Sequence, residues 1–174
     1  MKTRFVPALL MLLCMASSFT LIGLQDWTVT PDYTIRFTNP EVSGRMTKFK
    51  ADISFDPKNL RSSKFDVHID AASVNTGNQE MDAQAMGPEL LDARTYTEIR
   101  FQASGVTTTP EGFQATGILD LHGVKKEISI AFTFENKVFK GGFAFKCKDY
   151  GMNGLGKEDA DILRIELIVP VTQK

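Results

Sequence analysis

From Trp27 onward apolar and polar residues alternate with a period of two, and this rhythm limits the fold more than any other feature of the chain. "TKFKADISF" sets Phe49, Ala51, Ile53 and Phe55 on one side and Lys48, Lys50, Asp52 and Ser54 on the other. "KFDVHID" sets Phe65, Val67 and Ile69 against Lys64, Asp66, His68 and Asp70. "WTVTPDYTIRF", "EIRFQASGV", "GFQATGILDLHG", "VKKEISIAFTFE", "VFKGGFAFKC" and "ILRIELIVPV" repeat the pattern. Each run reads as a strand with one wet face, and the short turns at "HG" and "ENK" make sequence neighbours antiparallel.

About eight such strands fit two architectures, a two-sheet sandwich or a closed barrel. The chain has 13 Phe, most of them on the inward phase, and Gly44, Gly117, Gly141 and Gly142 lie inside strand patterns. Glycines there suit the bends and bulges of a coiled wall, which favours the barrel. Eight strands leave an interior just wide enough for packed side chains or one small ligand.

The rhythm stops at "VNTGNQEMDAQAMGPELLD", Val74 to Asp92. Asn78 is a good helix N-cap, and the acids that follow suit the first turns of a helix. Gly87 is expected to supply a left-handed exit, with Pro88 opening the next turn. Met81, Ala85, Met86, Leu90 and Leu91 then make a small apolar face on a helical crossover, most economically laid across one end of the barrel.

Residues 1–18 have the build of a secretory signal peptide: Lys2 and Arg4, an apolar run from Phe5 to Met15, then small residues. Cleavage is expected there or as late as residue 23, leaving one domain over 25–174 without stable membrane insertion. The alternative is an uncleaved anchor, since apolar character continues to Leu24. Losing Lys2 and Arg4 leaves 18 basic residues against 21 acids, net −3. There is no basic stripe, and a nucleic-acid partner is not expected. Cys147 then stands alone and reads as a small buried hydrophobe.

Chemistry is sparse. The two histidines, His68 and His122, lie far apart, and the Asn75–Asp82 acids and amides lack the spacing of a calcium loop. No metal and no cofactor is expected. No nucleophile elbow or triad spacing occurs, so the chain reads as a binding protein and not an enzyme.

The run "ASVNTGNQEMDAQAMGPELLDARTYTEIRFQASGV", followed by "GFQATGILDLHGVKKEISIAFTF", resembles the YceI-like family of bacterial periplasmic proteins. The opening "WTVTPDYTIRFT" and the closing "KDYGMNGLGKEDADILRIELIV" fit it as well, so the resemblance covers Trp27 to about Val171. It implies an extended, lipocalin-like antiparallel barrel whose apolar lumen holds a polyisoprenoid or quinone-like lipid for transport, storage or sequestration, in the periplasm or outside the cell. Where the family often carries Arg-Asp-x-His-Leu, this chain has Met81, Asp82, Gln84 and Ala85, keeping only the Asp.

The inward phase nominates Phe37, Phe49, Ile53, Phe65, Val67, Ile69, Ile99, Phe101, Phe132 and Phe134 as the lumen lining. Met81, Met86 and Leu90 are placed at its mouth, with Asp82 and His122 as head-group contacts. The competing reading packs the same residues into a filled core and makes the barrel a structural or protein-interaction module under envelope stress. Long edge strands permit a homodimer without specifying one.

Overall fold

The computed structural model describes residues 25–153 and 158–174. The expected leader and its cleavage site, and the "GLGK" of the closing motif, lie outside them. The strands are β1 (Asp26–Val29), β2 (Thr34–Thr38), β3 (Ser43–Met46), β4 (Phe49–Ser54), β5 (Lys64–Asp70), β6 (Val74–Asn75), β7 (Glu98–Thr109), β8 (Gly112–Leu121), β9 (Val124–Glu135), β10 (Val138–Lys146) and β11 (Ile162–Gln173), with one helix, α1 (Gln79–Ala85).

These elements form one closed antiparallel barrel. The last strand pairs with the first: β11 meets β1 at Val29–Val171 and, further along, meets β2 at Ile35–Leu167. So β1 and β2 are two halves of one wall strand, as are β3 and β4, and β5 and β6. Counted that way, eight strands meander once round the barrel, which is the lipocalin-like architecture expected. The sandwich, which satisfied the same periodicity, is excluded by the β1–β11 and β1–β4 ladders.

The three broken strands are hinged at one level. The Tyr33 hydroxyl donates to the Thr47 carbonyl at 2.7 Å and accepts from the Phe49 N–H at 3.1 Å, standing in for ladder bonds where β3 gives way to β4. The Thr47 N–H reaches the Ser73 carbonyl at 3.0 Å, at the matching break between β5 and β6. The short β3 run, "SGRM", has too little alternation to be read from sequence. A second irregularity is a bulge between Ala103 and Gly105 on β7. Gly117 faces it, and any Cβ there would run into the Gln102 carbonyl.

The turn between β8 and β9 has positive φ at His122 (53°) and Gly123 (73°), and the next one at Asn136 (52°) and Lys137 (61°). Both have the two-residue, left-handed form that matches strand twist.

The core is unevenly distributed. At one end Phe55, 1% exposed, has Phe65, Phe113, Phe132, Phe134 and Phe139 packed round it at ring-centroid distances of 5.2–6.1 Å. The Trp27 ring lies edge-on to Phe134 at 5.1 Å and its Nε1–H donates to the Phe55 carbonyl at 2.8 Å. Offset and edge-to-face rings of this kind pack densely. This end is plugged.

At the other end the wall divides. The β5–β7 ladder stops at Asp70–Glu98, and among the described strands β6 pairs with β3 alone. The crossover from Thr76 to Thr97, carrying α1, joins β6 to β7 across this division.

Candidate functional site

Behind the crossover lies a cavity of about 250 Å³ that runs down the barrel to the plug. Its wall is apolar: the polar residues that border it are Arg36, Thr76 and Gln84, besides the Cys147 thiol. Inward-phase residues of β4, β5, β10 and β11, such as Phe49, Val67, Phe143 and Ile165, are only half-buried, because they face this space and not one another. Along β8 the wall extends from Ala115 to Leu121. That is six steps along the strand, or roughly 20 Å. The choice between hollow and filled therefore has a divided answer, filled at the Phe55 end and hollow at the α1 end.

Of the residues nominated from sequence, Phe37, Phe49, Ile53, Phe65, Val67, Ile69, Ile99, Phe101 and Phe132 all border the cavity, and Met81 and Leu90 border it from the crossover. Phe134 does not. It points inward as expected but lies one layer too deep, its ring tilted against Phe139 at 4.4 Å inside the plug. Met86 packs on the core beside the lumen without lining it. Other lining residues went unnominated, among them Ile35, Met46, Leu119, Leu121, Phe143, Phe145, Leu163, Ile165 and Leu167. Most were in phase, so the alternation carried the signal for them too.

The two head-group nominees are occupied elsewhere. Asp82 Oδ1 accepts from both the N–H and the hydroxyl of Thr76 at 2.7 Å, tying α1 to the end of β6. His122 sits in the β8–β9 turn, its Nδ1 3.0 Å from the Tyr150 carbonyl and its ring edge-on to Tyr96 at 4.7 Å. Neither borders the lumen. Among the described residues the buried hydroxyls of Ser63 and Tyr150 have no hydrogen-bond partner, and these two also stand off the lumen.

Local sequence explains the crossover. Asn78 Oδ1 accepts from the N–H groups of Glu80 (2.9 Å) and Met81 (3.2 Å), as an N-cap should. The exit differs from expectation: the left-handed residue is Asp92 (φ 40°), not Gly87. Gly87 is small for another reason, since the Gln84 carbonyl lies 3.0 Å from where its Cβ would be. The far end of the crossover is fastened by Asn153, whose N–H donates to the Glu89 carbonyl (2.8 Å) and whose Nδ2 donates to Glu89 Oε2 (2.6 Å). No residue of α1 is fully buried, and Met81 is 36% exposed. The helix is a thin cover fastened at its ends.

The lumen has little electrostatic character. Burial, with the nearby Asp161 carboxylate adding to it, pushes the Cys147 thiol up to about 11, so it is neutral at physiological pH. The charges gather on the outer wall. Arg100 grips Asp66 with two bonds of 2.9 and 2.7 Å and holds its carboxyl below the usual value, while His68 lies 3.0 Å from Asp66 and 2.9 Å from Glu98. Among the described residues no group of three or more metal-ligating side chains gathers, and no helix is long and apolar enough to cross a membrane.

A closed antiparallel barrel, plugged at one end with an apolar pocket at the other, defines the class of lipocalin-like binding folds. The chain belongs to the YceI-like domain family, whose model matches residues 27–171. A UPF0312 protein of Vibrio parahaemolyticus is 36% identical over 94 residues, which are 53% of this chain and half the length of that relative. Among solved structures, BcnA of Burkholderia cenocepacia superposes with a TM-score of 0.73 at 22% identity, covering 80% of this chain and 96% of that one. A polyisoprenoid binding domain from Saccharophagus degradans, implicated in plant cell wall breakdown, superposes with a TM-score of 0.61 at 14% identity, covering 87% and 100%. These likenesses in structure concern the fold.

Proposed function

We propose that the protein is a lipid carrier that holds one polyisoprenoid or prenyl-quinone chain in its lumen, for transport, storage or sequestration, and that it acts in the periplasm or outside the cell after export. It carries out no reaction on the lipid. The observation that carries the reading is the lumen itself, an apolar shaft of about 250 Å³ closed below by the Phe55 plug and bordered by few polar groups. The polyisoprenoid-binding domain of Saccharophagus degradans, with the same fold, supports it.

The energetics need no specific contact. Burying one CH₂ contributes roughly 0.8 kcal/mol, so a five-carbon isoprene unit contributes on the order of 3–4 kcal/mol before chain ordering and lost translation are subtracted. Phe37, Phe49, Ile53, Phe65, Val67, Ile69, Ile99, Phe101 and Phe132 form the wall that receives the chain, with Met81 and Leu90 at the mouth. Methionine adapts to a varied tail better than a branched residue does. The aromatic plug is what favours the second reading, a filled module serving protein contacts, and it governs only the lower half of the barrel.

The test is uptake of a prenyl quinone by delipidated protein, compared with Phe101→Trp. Phe101 is 7% exposed and borders the lumen. The larger ring is expected to enter the empty space, lowering uptake at least tenfold while leaving the unfolding midpoint near that of the parent. A variant destabilised by about 1–3 kcal/mol through overpacking, with unchanged uptake, would contradict a hollow binding lumen.

A further inference from the structure

The outer wall is electrically two-sided. On the face formed by β4, β5, β7 and β8 the cations stand among the acids Asp52, Asp66, Asp70, Glu98 and Asp120: Lys48 pairs with Asp70, Arg100 with Asp66 and His68 with Asp66 and Glu98, although Lys50 and Lys64 make no ion pair among the described residues. The face formed by β3, β2, β11 and β10 differs. Arg36, Arg45, Arg164, Lys140 and Lys146 occupy outward positions there, all exposed, and the acid among the outward positions of these strands is Glu166. None of the five cations makes an ion pair among the described residues.

The register sharpens this. Arg36 and Arg45 are direct cross-strand partners, Glu166 lies opposite Arg36 on its other side, and Arg164 is a diagonal neighbour beside Thr38. Direct partners hold their Cβ atoms about 4.5–5.5 Å apart, where like charges repel. Glu166 faces Arg36, whereas Arg45 has Arg36 on one side and Asn75 on the other, so the Arg45 guanidinium, with Arg164, Lys140 and Lys146 nearby on the same wall, offers a site for an external anion. The aliphatic side chains of Ile162 and Ile168, opposite Lys146 and Lys140, lie only partly buried among the cations. Cations interleaved with aliphatics match a lipid head-group layer better than they match water alone. Arg36 stands between Ile35 and Phe37, which face the lumen, so the patch is the outer side of a wall whose inner side borders the shaft.

We propose that the β3–β2–β11–β10 wall docks on a membrane surface rich in anionic phospholipids, setting the lumen mouth beside the bilayer from which a chain is loaded or to which it is returned. The choice of a bilayer over an acidic protein rests on the carrier reading above. The crossover that carries Glu80, Asp82, Glu89 and Asp92 begins at the β3 edge of the patch, where Asn75 of β6 is the partner of Arg45, while Arg164, Lys140 and Lys146 lie on strands further round the wall.

The test is sedimentation of the full mature chain with vesicles of phosphatidylcholine alone, or mixed with phosphatidylglycerol, at low and at high salt. Binding is expected only to the anionic vesicles and is expected to weaken with salt. The double variant Arg36→Glu with Arg45→Glu should lower the bound fraction at least about tenfold, because each basic residue contributes separately near such a surface. Lys50→Glu, on the opposite wall, should bind as the parent does, and circular dichroism would verify that both variants fold. No binding to anionic vesicles, equal binding to neutral ones, or an unaffected double variant would overturn the proposal. Organic extraction of the same preparations keeps the two readings apart: a prenyl chain recovered from protein that ignores vesicles sinks docking and spares the carrier, whereas vesicle binding by protein that neither carries nor accepts a chain does the reverse.

Discussion

Asp66 shows how much of the residue-scale chemistry lies outside the lumen. Hydrogen bonds from Arg100, opposed by partial burial, hold its carboxyl below the ordinary value of 3.8, and Lys48 does the same for Asp70. A depressed folded-state value means the unfolded chain binds a proton first as pH falls. The stabilisation is therefore present above about pH 4 and is lost as pH drops through the folded value. Urea titrations from neutral to acid pH are expected to show stability falling in that window, with Asp66→Asn flattening part of the fall. An identical acid limb in the variant would remove Asp66 from the account. Residue identity also marks the reach of sequence reading. Phe132 and Phe134 share one inward phase and both pack on Phe55 in the plug, yet Phe132 also borders the lumen and Phe134, tilted against Phe139, does not. Alternation fixes the face of a strand and says nothing of depth along the barrel axis.

At the scale of elements, the crossover was the most legible piece, because capping chemistry is local: Asn78 and the run after it specify α1 with no help from the rest of the fold. Its function as a cover depends on few contacts. Removing the cap with Asn78→Ala should cost about 1 kcal/mol of helix stability, and amide exchange over 79–85 should accelerate while the β7–β8–β9 ladder stays protected. Uniform acceleration across the barrel would show instead that α1 and the wall open as one unit. The broken strands were not legible for the converse reason. Each break depends on a partner distant in sequence, as where the Tyr33 hydroxyl takes the ladder bonds of Thr47 and Phe49. Nothing within "TKFKADISF" itself announces it.

For the molecule as a whole, closure and the division into plug and shaft decide what the barrel can do. A period of two is common to sandwiches and barrels, so closure emerged only from the β1–β11 ladder. On the proposed reading the plug stabilises and the shaft binds, so the two should separate on mutation. Phe55→Ala, in the middle of the aromatic cluster, should cost about 3–5 kcal/mol by chemical denaturation. Binding of a prenyl chain should persist under conditions where the variant remains folded.

The central claim, a lumen that holds one isoprenoid chain, is tested most directly by native mass spectrometry of the protein purified from bacteria that express it, with organic extraction of whatever it carries. A mass increment equal to one prenyl lipid or quinone, lost on denaturation and recovered in the extract, is the expected result. A bare polypeptide mass from protein that is folded and also refuses added prenyl chains would contradict it.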